Sequence, residues 1–496
     1  MTPARTEEPP APPRLARAVV LNTSLLTIGR IVVAASNLIG ITVATRYLGP
    51  ERYGSLTIAL VFIAVAVPLT DLGLYPIAPR ELAKRPQAAS TVLRHVFGMG
   101  LVLSAIVTVA TLAVVETVYS GASRFLVREA VAILAIQIVV AAPGASIAAI
   151  LVARERFYPL VVGAFLSAAV LLCMLLAATT LDWGFSGLVA AYAAGAAAGS
   201  LAPLAFARET LTLRPAYDAT EWREIATRAA PLGGVLVLGH IYLRADTFLI
   251  SFLRSDAEVA LYGVAYKVVE LLMVFPALFV LTFFPVLSRL QPHDPDLNGI
   301  VAKATVALEL VTVPLLVVLI GFADPVVSVI AGPGFGGAAG ILRVLMVAVG
   351  LIYFNTLYFG VLTAQGLQRR LFWILIGVLL CNVPINLILI PLWGARGAAL
   401  AVVASELTAL FLILRAYRRV GSLPRLRAPL RVLTAGSGVA LAVALILYAS
   451  SAAHIPALAE LAGGVPLAAL LYVALLHLLH ALPEDIALPL ARVRGR

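Results

Sequence analysis

The sequence predicts an all-α polytopic membrane protein: about 14 transmembrane helices, arranged as two pseudo-twofold-related six-helix lobes plus two C-terminal helices. Three observations predict it. Of 496 residues, 61% are hydrophobic and 12% charged, with mean hydropathy +1.02. Soluble domains are about half apolar and a quarter charged, so this composition excludes them. Apolar runs of ~20 residues, each able to cross a bilayer core, recur along the chain, continuous and without the alternation of barrel strands. Short motifs then return after about 209 residues, which implies a duplicated unit.

The elements follow in order. The first 18 residues, rich in proline and charge, read as a disordered cytoplasmic tail, and no signal-peptide cleavage pattern follows them. An N-lobe over 19–207 is expected to hold spans 1–6 at 19–45, 53–76, 91–119, 129–151, 157–181 and 185–207. A basic cytoplasmic linker, 208–228, joins it to a C-lobe over 229–419. The C-lobe spans are expected at 229–253, 261–286, 299–323, 341–366, 371–390 and 396–417. Spans 13 and 14, at 429–449 and 461–480, lie with a basic tail in 420–496.

Lysine and arginine set the orientation. Of 36, 26 fall in one set of alternating segments, from Arg5, Arg14 and Arg17 through Arg80, Lys84 and Arg85 to Arg492, Arg494 and Arg496. The opposite set holds 6. The positive-inside rule then places both termini in the cytoplasm and requires an even number of spans. It also explains most of the net charge of +11, so nucleic acid is excluded as a partner. The basic 415–431 loop is expected to meet anionic headgroups of the membrane lipids. Cys173 and Cys381, both within apolar runs, read as small core residues, with no disulfide framework or metal-ligand spacing. No cofactor is expected.

The repeat is carried by loops. TRYLGPERYGSLTIA (45–59) breaks an apolar run, and FLRSDAEVALYGVAYKV (252–268) does the same. Tyr53-Gly54 corresponds to Tyr262-Gly263, Gly184 in LDWGFSG to Gly394 in LWGARG, and LLC ending at Cys173 to LLC ending at Cys381. Apolar helices in general resemble one another, but matches in loops at one register do not follow from that. Two parallel repeats of six spans typically hold a site near the midplane between them and work by rocking about it.

At these residues the chain resembles the polysaccharide-type flippases of the multidrug/oligosaccharidyl-lipid/polysaccharide exporter superfamily. The first lobe supplies NTSLLTIGR, RYLGPERYGSL and DLGLYPIAPREL. The second supplies YLRADTFLISFL, ALYGVAYKVVELLMVFPALFVLTFFPVLSRL and LTAQGLQRR, and the resemblance runs from Ala18 to Arg419. It implies a central cavity opening alternately to each side. It also implies an undecaprenyl-pyrophosphate-linked oligosaccharide as cargo, carried from the cytoplasmic to the periplasmic leaflet of a bacterial inner membrane for cell-surface polysaccharide. Polymerase or glycosyltransferase machinery would be the neighbouring partner.

Ionisable residues inside spans cost about 2.5–3.5 kcal/mol on insertion scales, so each needs a partner or a wet cavity. In span 1, Asn22, Thr23, Thr27, Arg30 and Asn37 share an arc of about 140°, a polar face suited to lining a cavity. In span 7, His240, Arg244, Thr247 and Ser251 lie within about 60°, while Asp246 points some 160° from Arg244, toward another helix. Lys267 and Glu270 lie three apart on span 8, where they can pair. The substrate-binding candidates are therefore Arg30, Asn37, His240, Arg244 and Lys267, because a planar guanidinium binds phosphate oxygens in pairs. Against that stand backbone or carboxylate partners for the arginines and a satisfied buried His240. The carboxylates Asp71, Glu270, Glu309 and Glu406 are candidate sites for coupling to protons or sodium ions, or else structural hydrogen-bonding groups. Arg343, at the end of span 10, is expected to snorkel to the interface.

Two other functions compete with this one. A cation-coupled small-molecule exporter of the same fold wants a carboxylate-dominated cavity. A membrane polymerase or ligase wants a large outer loop with clustered catalytic residues, whereas the longest outward loop, about 324–340, has no His, Lys or Arg. With no phosphate-binding glycine loop either, the chain reads as a transporter and not an enzyme.

Overall fold

The computed structural model describes residues 13–74, 89–121, 124–154, 156–206, 215–422, 429–453 and 455–478. The stretch 1–12, the basic loop residues Arg80, Lys84, Arg85, Arg208, Arg214, Arg425 and Arg427, and the tail from 479 lie outside the described residues, as does the side chain of Arg30. Among the described residues every regular element is a helix. In chain order these are α1 (Pro13–Asp71), α2 (Ala89–Val118), α3 (Phe125–Leu134), α4 (Ile136–Ala153), α5 (Tyr158–Thr180) and α6 (Gly184–Leu201), with a 3₁₀ turn at Ala202–Phe206. Then come α7 (Ala219–Leu253), α8 (Asp256–Leu287), α9 (Pro295–Gly321), α10 (Ala323–Ala331) and α11 (Gly337–Ala364). Last are α12 (Gln368–Trp393), α13 (Ala395–Tyr417), α14 (Pro429–Ala452) and α15 (Ala457–Leu478).

Among the described residues, thirteen helical stretches are long and apolar enough to span a membrane, and one of them, Ile31–Asp71, holds 41 residues. At 1.5 Å per residue that is about 60 Å, twice a hydrocarbon core, so it is two spans. Gly49 separates them, with φ 70° and ψ 177°, a conformation that breaks the helix and that a side chain would resist. The fourteen expected spans are thus all present. Helix α1 already begins at Pro13, so residues 13–18 of the expected tail are helical. The fourth span is split, α3 ending at Leu134 and α4 starting at Ile136. Helix α7 starts within the expected linker, its first turn capped by Asp218, whose carboxylate accepts from the backbone N–H groups of Thr220 and Glu221. Those two bonds, that from Glu221 foremost, hold the Asp218 carboxyl below the usual range. The expected outer loop folds into α10, and Arg343 pairs there with Asp324 in addition to Ile320 O.

Packing divides the chain into two compact units, one of residues up to Val43 with Ala59–Ile241, the other of Ala44–Ile58 with Tyr242 onward. The boundaries differ from the sequence-derived lobes in two respects: the first hairpin groups with the second unit, and residues 229–241 of the expected C-lobe group with the first. For the hairpin the cause is local packing. Tyr53, Leu56 and Ile58 are buried, Ser55 Oγ donates to Asp256 Oδ2 at 2.6 Å, and Tyr53 meets Phe335 edge-on. Gly54 lies so close to the Asp256 carbonyl that a β-carbon there would clash with it, and Gly263 faces the Thr57 methyl. The two repeated Tyr-Gly pairs are therefore the points where α1 and α8 touch. The other repeated glycines also share a backbone state, Gly184 at φ +68° and Gly394 at φ +58°.

In the first unit α5 and α6 pack closely through Gly163, Ser167, Gly195 and Gly199. In the second, α8, α9, α11, α12 and α13 share a core that includes Leu287, Leu297, Val361, Val378 and Tyr417. Helices α14 and α15 pack against α9 and α10 through Val439, Val443, Tyr472 and Phe322. Cys173 and Cys381 are both exposed, which corrects their assignment to the core. A span facing lipid is as apolar as one facing the core, so hydropathy does not separate the two faces.

Candidate functional site

The turn between α7 and α8 anchors the second unit's site. Arg254 donates to the carbonyls of Ile390 and Pro391 at 3.0 and 2.6 Å, covering the C-terminus of α12. Glu258 Oε2 accepts from Ala395 N at 2.9 Å, at the start of α13. Cation on carbonyl end and anion on amide end both follow the helix dipole. Ser255 accepts from Glu258 N, capping α8. These contacts fix α7 and α8 against α12 and α13.

Further along the same two helices the structure brings Arg244, Lys267 and Glu270 together. Glu270 Oε1 lies 2.6 Å from Arg244 Nη1, and Oε2 accepts from Lys267 Nζ at 2.8 Å. The Arg244 contact is a close ion pair lacking the alignment of a regular hydrogen bond. Arg244 also lies 5.9 Å from the centre of the Tyr266 ring. All three charged side chains are partly exposed, at 21, 28 and 32% for Arg244, Glu270 and Lys267. One anion between two cations leaves a net positive charge reachable from outside the helices. Thr247 and Ser251, on the same stripe of α7, are buried, so only its Arg244 end is open.

A second polar cluster lies behind it. Asp246 is buried and accepts from Tyr262 OH at 3.2 Å, Asn386 Nδ2 at 2.6 Å and Asn382 Nδ2 at 3.4 Å. Asn382 also donates to Ser405 Oγ at 3.0 Å. Glu406, also buried, accepts from Tyr242 OH at 2.9 Å and Asn355 Nδ2 at 2.7 Å. Both acids, with Tyr242, Tyr266 and Asn355, line a cavity of about 230 Å³. Among the described residues, Asn355 Oδ1 and Asn386 Oδ1 are buried without a hydrogen-bond partner. Two carboxylates and spare amide oxygens in an apolar wall suit a proton or a small cation. Asp246 does face another helix, as its angle from Arg244 requires. Its asparagine partners were not among the sequence candidates, although the spacing Asn382-x₃-Asn386 inside an apolar span puts two amides on one helix face.

The remaining candidates are dispersed. In the first unit Asp71 and His240 line one cavity of about 620 Å³, walled by small residues of α4, α5 and α6. His240 Nδ1 lies 2.8 Å from Leu236 O, a bond within its own helix. Asp71 also borders a slot of about 20 Å³ with Thr70 and Ser146. Asn37 is exposed. Glu309, on α9, is half-buried, and among the described residues its Oε2 has no hydrogen-bond partner.

Comparison with known proteins places the chain in a family. Over 191 residues the chain is 29% identical to the probable flippase AglR of Haloferax volcanii, covering 37% of this chain and 40% of that relative's length. Its fold matches the structure of the lipid II flippase MurJ in an inward closed conformation, with a TM-score of 0.75, 14% identity, and coverage of 92% of this chain and 98% of that one. It also matches an inward-facing multidrug resistance transporter of the MATE family and MOP superfamily, with a TM-score of 0.66, 17% identity, and coverage of 80% and 97%. Both matches concern the fold. A family model described as polysaccharide biosynthesis protein matches residues 43–338, more than half of the chain. This multi-pass membrane protein belongs to the polysaccharide biosynthesis protein family.

Proposed function

We propose that the protein is a flippase that moves an undecaprenyl-diphosphate-linked oligosaccharide from the cytoplasmic to the periplasmic leaflet for surface polysaccharide assembly. The observation that carries this reading is the Arg244–Glu270–Lys267 cluster, a partly exposed, net positive group within membrane-spanning helices of a polysaccharide biosynthesis family member. Such a site selects an anionic headgroup, and Arg supplies the fork geometry for phosphate oxygens. Relatives described as flippases support it. In this reading the two repeats, 19–207 and 229–419, rock about the cargo. The Asp246 and Glu406 cavity supports a coupling role for protons or sodium ions, and also a second reading, cation-coupled export of small molecules.

Reconstitution separates the two. In proteoliposomes, a membrane-impermeant glycosidase should consume inner-leaflet diphosphate-linked glycan only when the protein is present. Protection of the inner leaflet, together with ion-driven efflux of an organic cation, would replace the flippase with the exporter.

The positive-inside asymmetry supports cytoplasmic placement of both termini, and the cargo reading adds a bacterial inner-membrane location. A cysteine at Gly336 should then be labelled from outside intact cells, and one at Ser422 should be protected. Both positions are exposed, so access depends on sidedness. The reverse pattern would invert the topology.

A further inference from the structure

We propose that Glu270 is a built-in, displaceable counter-anion, which holds the two cargo-binding cations until a diphosphate takes its place. The proposal rests on the cargo reading above and adds what occupies the site between cargo molecules. The observations are geometric. One carboxylate bridges both cations, one oxygen toward Arg244 Nη1 and the other toward Lys267 Nζ. A phosphoryl group presents paired oxygens at a similar spacing, so it can replace the carboxylate contact for contact. The Arg244 contact is poorly aligned, and that partner is the easier one to surrender.

Glu270 differs in this from the two acids of the cavity behind it. Asp246 and Glu406 are buried and held by neutral amides and phenols, whereas Glu270 is partly exposed and held by cations. A diphosphate entering beside a charged Glu270 would be repelled, so the two anions exclude one another. The side chain, tethered at a helix, swings aside when the cargo binds and returns when it leaves. Cargo release then needs no unpaired cation within the membrane, where such a group is costly. The cycle becomes an exchange of anions.

The test is binding by the full-length protein in detergent, with farnesyl diphosphate and inorganic pyrophosphate as probes. Glu270→Gln keeps the size and removes the charge, so it should bind farnesyl diphosphate at least about tenfold more tightly than wild type and turn over more slowly. Tightening for inorganic pyrophosphate as well identifies the headgroup as the displacing element, and tightening for farnesyl diphosphate alone shows that the lipid tail must deliver it. Equal or weaker binding by Glu270→Gln, while Arg244→Ala still weakens it, overturns the proposal and leaves the cargo reading standing. If neither wild type nor Glu270→Gln binds either probe, the cargo reading falls and takes the proposal with it. If Glu270→Gln and Glu270→Ala both fail to insert at wild-type abundance, Glu270 is a structural ion-pair partner and the proposal is wrong.

Discussion

In the proteoliposome assay, Arg244→Ala is expected to lower leaflet transfer roughly a hundredfold or more, with the protein still folded. Two charge-assisted hydrogen bonds to a diphosphate contribute about 1.5–3 kcal/mol each, and each 1.4 kcal/mol is a factor of ten. Folding should survive because Glu270 keeps its bond to Lys267, so no carboxylate is stranded. Arg244→Lys should restore part of the rate, since the charge persists but the planar fork does not. Arg30→Ala is expected to fail in the same way if its polar stripe lines the cargo path. Normal transfer by both alanine variants at wild-type abundance would make the arginines structural and send the search elsewhere.

Asp246→Ala should destabilise the second unit by about 3 kcal/mol, because the buried Tyr262 OH loses its acceptor and the Asn382 and Asn386 amides each lose one of theirs. The donors come from α8 and α12, so the loss loosens the attachment of α7 to both. Asp246→Asn preserves the shape and some of the bonds, so it should retain most of the thermal stability. It should also abolish dependence of transport on a proton or sodium gradient, because a neutral amide takes up no proton and offers a sodium ion no charge. Thermal unfolding in detergent and gradient-driven transport measure the two effects separately. If Asp246→Ala melts with wild type, the cluster is not a keystone. If Asp246→Asn stays gradient-dependent, coupling runs through another acid, with Glu406 and Asp71 next in line.

Part of the candidate site is legible in the sequence. The pairing of Lys267 with Glu270 follows from a three-residue spacing on one helix. That Asp246 turns away from Arg244 follows from helical angle alone. The convergence of Arg244 on Glu270 is not legible there, because it depends on the crossing of α7 and α8, and no periodicity encodes a crossing. The asparagines behind Asp246 escape for a related reason. Each is unremarkable in a polar count, and only its proximity to a carboxylate gives it meaning.

Hydropathy, charge and register by themselves determined the class of fold, the number of spans, their expected orientation and the duplication. Each of these rests on one-dimensional physics: the length needed to cross hydrocarbon, the cost of moving lysine and arginine across it, and the recurrence of turn residues. Tertiary structure decided which apolar faces stay exposed, and so moved Cys173 and Cys381 out of the core. It also decided that the hairpin around Tyr53 packs with the second unit, through Asp256, Gly263 and Phe335. Finally, it decided which acid neutralises which base. Inside a membrane every span is apolar on nearly every side, so composition cannot say which neighbour a residue meets. Only packing, at the few glycines and charges where helices approach, makes that choice.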